Sequence, residues 1–278
     1  MARILKNGGG SAGIPAGETR APGVGTVLAA FATGLAVAIV LGLAASLLFP
    51  ASLAAILFLA ELGLLLGAIL YLAASGQKIA EAMRTGSVPS AVLPLAFQLG
   101  VALLLANVAA SVLLGPPVRD FEFAAGTQST LERILLTISV ILVAPVIEEA
   151  LFRGLLQGAL EARLRPWLAI VLAAVPFAVL HGLTPALFFF FWSLPVGWVT
   201  WRTGSIRPGI VVHALNNLVG LIGLLAAGPL ETEPVEQGFR GLLIAIAVLV
   251  LAALWSVQLC ARIGRIAKHS SQAFRNER

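Results

Sequence analysis

The sequence predicts an all-α membrane protein, a polytopic bundle of about eight transmembrane helices with both termini in the cytoplasm. Of its 278 residues, 59% are hydrophobic and only 11% are charged, and the mean hydropathy is +0.98. Soluble domains carry about 25% charged residues. Almost no polar segment is long enough to form a second domain. The composition therefore excludes an ordinary soluble protein and favours a single membrane domain.

Apolar runs of about 20 residues, the length that crosses a bilayer as a helix, define the predicted spans. They are residues 26–49, 51–74, 90–114, 131–160, 166–183, 185–201, 208–227 and 239–261. The first run exceeds the apolar core of about 7–15 residues in a cleavable signal peptide, so we expect a retained helix behind a flexible cytoplasmic tail of residues 1–25. Pro50 separates the first two helices, and Gly115, Pro116 and Pro117 end the third.

The basic residues are distributed unequally between the two sides of this arrangement. Fourteen of the 18 Lys and Arg residues lie on the side of the N-terminus, and three, Arg119, Arg133 and Arg240, lie on the other. Arg153 falls within a span. Because cytoplasmic loops are enriched in Lys and Arg, this distribution predicts that both termini are cytoplasmic.

The net charge of +5 and the pI near 10.3 do not indicate a nucleic-acid partner. The basic residues are scattered in short loops without interleaved aromatic residues, unlike a nucleic-acid surface. A single cysteine, Cys260, excludes an internal disulfide and a cysteine-based metal cluster. We expect Cys260 to be a small apolar residue near a helix end.

Three charged residues, Glu148, Glu149 and Arg153, interrupt the apolar run of residues 146–154. A charge at the centre of a membrane helix costs at least ~2.5–3.5 kcal/mol, so these groups need partners or a polar cavity. Glu149 and Arg153 are four residues apart and can form an ion pair. Glu148 lies about 100° further round the helix and is left over. Pro145 removes a backbone hydrogen bond and is expected to open the helix to water.

Two of the three histidines lie in predicted spans. His181 follows Phe177 by one turn and His213 precedes Asn217 by one turn. Because each buried polar group needs a partner, we favour one joint site with Glu148 over separate structural roles.

The depths of these residues agree in part. Glu148 and His181 both lie about 15 residues, or roughly 20 Å, from the cytoplasmic helix ends. His213 lies only about six residues, or roughly 10 Å, beyond Arg207. Either the link from Arg202 to Pro208 dips into the bundle, or the predicted boundaries there are displaced.

Other polar and aromatic residues in the spans receive simpler interpretations. Glu61 is an isolated acid in the second helix. It is either a polar contact to the site or a neutral carboxylic acid held in the bundle, and we favour the second. Trp167 and Trp201 fall at predicted helix ends, which is typical of interfacial anchors.

These motifs resemble the CPBP family of intramembrane proteases, which includes the type II CAAX prenyl endopeptidases and bacterial relatives linked to bacteriocin self-immunity. The family pattern is two glutamates and an arginine, then phenylalanine and histidine four apart, then histidine and asparagine four apart. It is found here as Glu148-Glu149 with Arg153, Phe177 with His181, and His213 with Asn217. The resemblance covers about residues 130–225.

The resemblance implies roles for these residues. Glu148 would activate the attacking water with assistance from His181, while His213 and Asn217 would stabilise the oxyanion. Glu149 and Arg153 would hold the helix and tune Glu148, with Phe177 in support. Members of the family were long regarded as metalloproteases, and Glu148, His181 and His213 would be the ligands of a zinc-dependent version. The sequence has no His-Glu-x-x-His motif, so we prefer a mechanism without a cofactor.

We therefore expect residues 26–128 to form an N-terminal three-helix region, residues 129–261 the catalytic core and residues 262–278 a basic cytoplasmic tail. The predicted partners are the lipid bilayer and a membrane-associated or hydrophobic peptide substrate, for which a CAAX protein is one option. The Ala- and Leu-rich composition favours a prokaryotic plasma membrane, with the site open to the cytoplasm. The alternatives are a proton-coupled transporter that uses the same buried groups, and a non-catalytic scaffold or immunity protein.

Overall fold

The computed structural model describes residues 21–50, 52–114, 129–183, 185–227 and 238–276, and the regular secondary structure in these ranges is helical throughout. The helices are α1 (Val24–Leu48), α2 (Leu53–Ala74), the short α3 (Ile79–Ala82), α4 (Val92–Leu114), α5 (Thr130–Glu161), α6 (Pro166–Leu180), α7 (Ala186–Thr203), α8 (Arg207–Ala227) and α9 (Phe239–Asn276). The predicted all-α fold is confirmed for these ranges.

Each predicted span coincides with one of the long helices. Within the described residues, five helices are long and apolar enough to cross a membrane: α1, α2, α4, α5 and the Phe239–Ser270 part of α9. Helix α6 is apolar but shorter, whereas α7 and α8 carry polar groups such as Arg202 and His213. The protein is thus a multi-pass membrane protein. The count of eight spans and the cytoplasmic placement of both termini stay predictions.

Two helix ends differ from the predicted ones by three residues or more. Helix α6 ends at Leu180 because Gly182 has a φ of +101°, a conformation that glycine takes without strain. Helix α9 continues to Asn276 rather than ending at residue 261, because Ile263 and Ala267 extend its buried apolar face. Most of the predicted basic tail is therefore helical, and the half-buried Cys260 lies in the helix interior rather than near its end.

Two predicted features fall outside the described residues: residues 1–20 of the N-terminal tail and the Gly115-Pro116-Pro117 stop. The neighbouring boundaries are described. Helix α1 begins at Val24 and α4 ends at Leu114, each within two residues of the predicted position.

The helices pack around α5, which carries the charged stretch. Helix α2 contacts its N-terminal half, α6 contacts its C-terminal half, and α8 contacts the middle. Helix α4 lies against α8 and α9, while α7 lies between α6 and α9. Polar side chains at the middle of α5 therefore face neighbouring helices from both the N-terminal and the C-terminal parts of the chain.

The link between α7 and α8 is buried. Ser205 and Ile206 are each 1% exposed. The Ile206 N–H donates to the Arg84 carbonyl at 2.9 Å, and the Ser205 hydroxyl donates to the Gly86 carbonyl at 2.6 Å. The link is therefore buried against residues 84–86, as the first of the two alternatives for His213 requires, and His213 lies opposite the middle of α5.

Helices α1 and α2 approach closely through glycines, as small residues allow in membrane helix pairs. A β-carbon at residue 67 would lie 2.6 Å from the Thr33 carbonyl oxygen and 2.7 Å from the Gly34 α-carbon. Both contacts are with backbone, so neither can be relieved by a side-chain rotation.

We expect Gly67→Ala to lower the free energy of unfolding by about 1–3 kcal/mol, because the added methyl group forces α1 and α2 apart. The measurement is unfolding in detergent micelles with increasing SDS, followed by circular dichroism. The matched control is Gly25→Ala, since a β-carbon at residue 25 meets no atom within 4 Å. Equal stability of the two variants would contradict the prediction.

Candidate active site

Glu149 and Arg153 form the predicted ion pair in the interior of the protein. Glu149 Oε1 lies 3.2 Å from Arg153 Nη1, and the two side chains are 0% and 1% exposed. They lie in a π-helical segment of α5, Glu149–Leu156, whereas the sequence predicted a regular α-helix. A second π-helical segment, Ser139–Val143, precedes them, and such wide turns are common at functional sites.

Arg153 connects three helices. Its Nη2 donates to the Ser193 hydroxyl of α7 at 2.8 Å, and its Cζ lies 3.8 Å from the centre of the Phe177 ring of α6. A cation over an aromatic face is attracted by the ring quadrupole, and more strongly where water is excluded. Phe177, which the sequence analysis paired only with His181, is thus also the aromatic partner of Arg153.

Glu148 faces both histidines. Its Oε2 lies 3.5 Å from His181 Nε2 and 3.8 Å from His213 Nε2. The Glu148 and His181 side chains are 26% and 24% exposed, whereas Glu148 Oε2 itself is buried and has no hydrogen-bond partner. The carboxylate that the sequence left unpaired therefore lies between two imidazoles from two other helices, at an accessible edge of the site.

The other ring nitrogen of each histidine contacts an oxygen. His181 Nδ1 lies 2.8 Å from the Phe177 carbonyl oxygen, and His213 Nδ1 lies 3.1 Å from Glu149 Oε1. A carbonyl or carboxylate oxygen only accepts, so in each ring the Nδ1 carries the hydrogen and donates. Both Nε2 atoms are thereby turned towards Glu148.

Asn217 contacts α5 at a different point. Its amide Nδ2 donates to the Val140 carbonyl oxygen at 2.8 Å. This bond uses one of the two amide hydrogens, so the side chain retains a second donor. Asn217 thus lies on the α8 face that meets α5, as its spacing from His213 predicts. Its hydrogen-bond partner, Val140, lies about two turns before Glu148 on α5.

Glu61 contacts the same part of α5. Its Oε2 accepts a hydrogen bond from the Ser139 hydroxyl. The structure thus gives Glu61 a polar partner on the helix that carries Glu148, rather than an isolated place in α2. The Ser139 contact is compatible with both interpretations drawn from the sequence, a polar contact to the site and a neutral carboxylic acid held in the bundle, and Ser139 gave no signal of its own in the sequence.

Helix α7 contributes three residues that the sequence analysis did not select: Phe189, Trp192 and Ser193. The Phe189 ring stacks on His181 with 4.1 Å between ring centres, and Trp192 lies 5.0 Å from His213 in an edge-to-face arrangement. One signal was present in the sequence. The positions 189, 192, 193 and 196 follow the helical spacing of a buried face, and Ser193 is a polar residue within the run of aromatics.

The imidazole and carboxylate groups of the site are of the types that bind metal ions. The described residues contain no group of three or more His, Cys, Asp and Glu side chains placed to hold a metal ion. Zinc ligands lie about 2.0–2.2 Å from the metal. Each histidine pairs with an oxygen through Nδ1 and faces Glu148 through Nε2. Metal-ligating histidines also donate their other ring N–H to an oxygen, so the orientation of the rings does not separate the cofactor-free mechanism from the zinc-dependent one.

A protein-family model matches the part of the chain that contains the site. Residues 130–219 match the family model for type II CAAX prenyl endopeptidase Rce1-like proteins. The matched segment runs from the start of α5 into α8 and contains Glu148, His181 and His213. It confirms the resemblance drawn from the three motifs and implies a protease, and therefore a hydrolase. No curated protein and no solved structure matches the chain.

We expect Arg153→Met to lower the free energy of unfolding by about 3–5 kcal/mol, because it leaves the buried Glu149 carboxylate without its cation. SDS unfolding in micelles would measure the loss. Arg133→Met is the matched control, since Arg133 is an exposed residue of the same helix.

The double variant Glu149→Gln with Arg153→Met should be less destabilised than the sum of the two single variants, since it leaves no unpaired charge. Additive losses would show that the two residues do not act as a pair.

Proposed function

We propose that this protein is an intramembrane endopeptidase that hydrolyses a peptide bond of a membrane-associated or hydrophobic substrate, with Glu148 as the general base. The observation that supports the proposal is the position of Glu148, whose Oε2 lies within 4 Å of two imidazole Nε2 atoms at a partly exposed edge of the site. A base within reach of a water molecule and of donors for the oxyanion is what amide hydrolysis requires.

In the first step Glu148 takes a proton from a water molecule, and the water oxygen attacks the carbonyl carbon of the scissile bond. His181 assists, because its Nδ1 hydrogen is committed to the Phe177 carbonyl and its Nε2 is free to accept from the same water. In the second step the carbon–nitrogen bond breaks, and the proton held by Glu148 passes to the leaving amine.

His213 stabilises the oxyanion in this mechanism. Its Nδ1 hydrogen donates to Glu149, so the Nε2 can donate to an oxyanion only when His213 is an imidazolium. The charges then balance: Glu148 and Glu149 are negative while Arg153 and His213 are positive, which reduces the cost of burying them. The remaining amide hydrogen of Asn217 is the second donor that the family resemblance implies.

The substrate that the matched family suggests is a CAAX-type protein. The test uses the full chain reconstituted in liposomes, with a fluorogenic CAAX peptide in farnesylated and unmodified forms. Cleavage of the farnesylated form alone assigns a prenylated substrate, whereas cleavage of both forms assigns a hydrophobic peptide.

We expect Glu148→Gln and His181→Ala each to reduce peptide cleavage by at least about 100-fold, because the base or its assisting group is lost. Size-exclusion chromatography and SDS unfolding would show that both variants still fold. Glu81→Gln is the matched control, since Glu81 forms an exposed ion pair with Lys78 on α3. Retained cleavage by purified Glu148→Gln would exclude Glu148 as the general base, whereas a wild-type protein that cleaves no peptide would favour the alternative of a non-catalytic scaffold.

Activity should persist after treatment with a chelator, because the proposed steps use side chains alone. The assay compares chelator-treated protein, verified as metal-free by elemental analysis, with the same sample after addition of zinc. Loss of cleavage that zinc restores would replace this mechanism with the zinc-dependent one.

A further inference from the structure

Two polar side chains from different helices contact adjacent residues of α5. The Ser139 hydroxyl donates to the Glu61 carboxylate of α2, and the Asn217 amide of α8 donates to the Val140 carbonyl at 2.8 Å. Ser139 and Val140 begin the wide turn Ser139–Val143, which leads directly into the segment Ala144–Glu148. The geometry of this turn therefore determines where Glu148 lies.

Pro145 explains both the wide turn and the place of Asn217. A proline inside a helix clashes with the preceding turn and lacks an N–H. In this turn the Ala144 N–H donates to the Ser139 carbonyl, so the Val140 carbonyl would have to pair with the N–H that Pro145 lacks. An unpaired buried carbonyl costs free energy, and the Asn217 amide satisfies it from the neighbouring helix.

The Ser139 hydroxyl bonds differently from those of Ser111 and Ser256. A helical Ser or Thr commonly donates to the carbonyl four residues earlier. Ser111 and Ser256 do so, with bonds of 2.8 Å to Asn107 and Ala252. Ser139 instead donates across to α2. The wide turn thus has a polar contact to α2 as well as one to α8.

Glu61 has no role in the chemistry proposed above, and it lies outside the matched residues 130–219. It is a half-buried acid in an otherwise apolar membrane helix, a placement that costs free energy and marks a functional role by default. Its hydrogen-bond partner lies nine residues before Glu148, about two and a half turns along α5.

We propose that Glu61 is a positioning residue for Glu148. With Ser139 it holds the wide turn of α5 from the side of α2, while Asn217 holds it from the side of α8. The N-terminal helices thereby take part in the site by fixing the base relative to His181 and His213. This inference rests on the proposed function, since it assigns Glu61 a role in the same reaction.

The first test is a double-mutant cycle in the liposome assay with the fluorogenic CAAX peptide. We expect Glu61→Met and Ser139→Ala each to lower kcat by about 10- to 100-fold with KM changed less than about 2-fold, because a misplacement of about 1 Å costs this much in rate. The double variant should lose no more than the worse single variant, since both remove one bond. Glu61→Gln should retain most of the activity, because its amide oxygen still accepts from Ser139.

The control is Ser111→Ala, which removes a hydroxyl that bonds only within its own membrane helix. It should leave kcat unchanged. Additive losses in the double variant, or wild-type kcat in Ser139→Ala, would overturn the inference. So would equal losses in Glu61→Gln and Glu61→Met, since the accepting oxygen would then be irrelevant.

The second test measures the stability of the wide turn directly and needs no substrate. Hydrogen–deuterium exchange of peptides spanning residues 139–148 should be faster in Glu61→Met and Ser139→Ala than in wild-type protein, and unchanged in Ser111→Ala. Wild-type exchange in both variants would overturn the inference whatever the activity. A wild-type protein that cleaves no peptide would instead overturn the proposed function, while the exchange rates would still decide whether Glu61 and Ser139 hold the turn.

Discussion

The buried ion pair between Glu149 and Arg153 is the interaction on which the rest of the site depends. Neither side chain has access to water, so each charge must be balanced by protein groups. Arg153 meets this need with Glu149, the Ser193 hydroxyl and the face of Phe177, and Glu149 also contacts His213. These contacts join α5 to α6, α7 and α8, and they leave Glu148 as the carboxylate without a cation from its own helix.

Close approach of α8 to this pair requires a glycine. A β-carbon at residue 209 would lie 2.7 Å from Glu149 Oε2 and 3.1 Å from a methyl group of Val196. Gly209 therefore lets the first turn of α8 pass directly over the carboxylate and places His213 one turn later, opposite both glutamates. The position of His213 against the two glutamates follows from this approach and from the buried link that precedes α8.

A proline in the charged helix has effects on three helices. Pro145 deprives the Val140 carbonyl of its partner, the turn widens, and the unpaired carbonyl is satisfied by Asn217 of α8. Ser139 in the same turn pairs with Glu61 of α2. The backbone groups and side chains of the wide turn in α5 thus bond to two neighbouring helices. One of these, α2, lies outside the family-matched residues 130–219 and supports the residues within them.

The sequence by itself determined the helical fold, the helix that carries each motif residue, and the Glu149–Arg153 pair, because hydropathy and spacing along one helix are local properties. It also separated Glu148 from that pair. Contacts between helices were decided only by the tertiary structure. These are the contacts of His213 with Glu149, Glu61 with Ser139, Asn217 with Val140, Phe189 with His181 and Trp192 with His213. Any apolar helix face fits several neighbours, so the sequence leaves these pairings open. The close approach at glycines, the widened turns and the need to pair each buried charge select one of them.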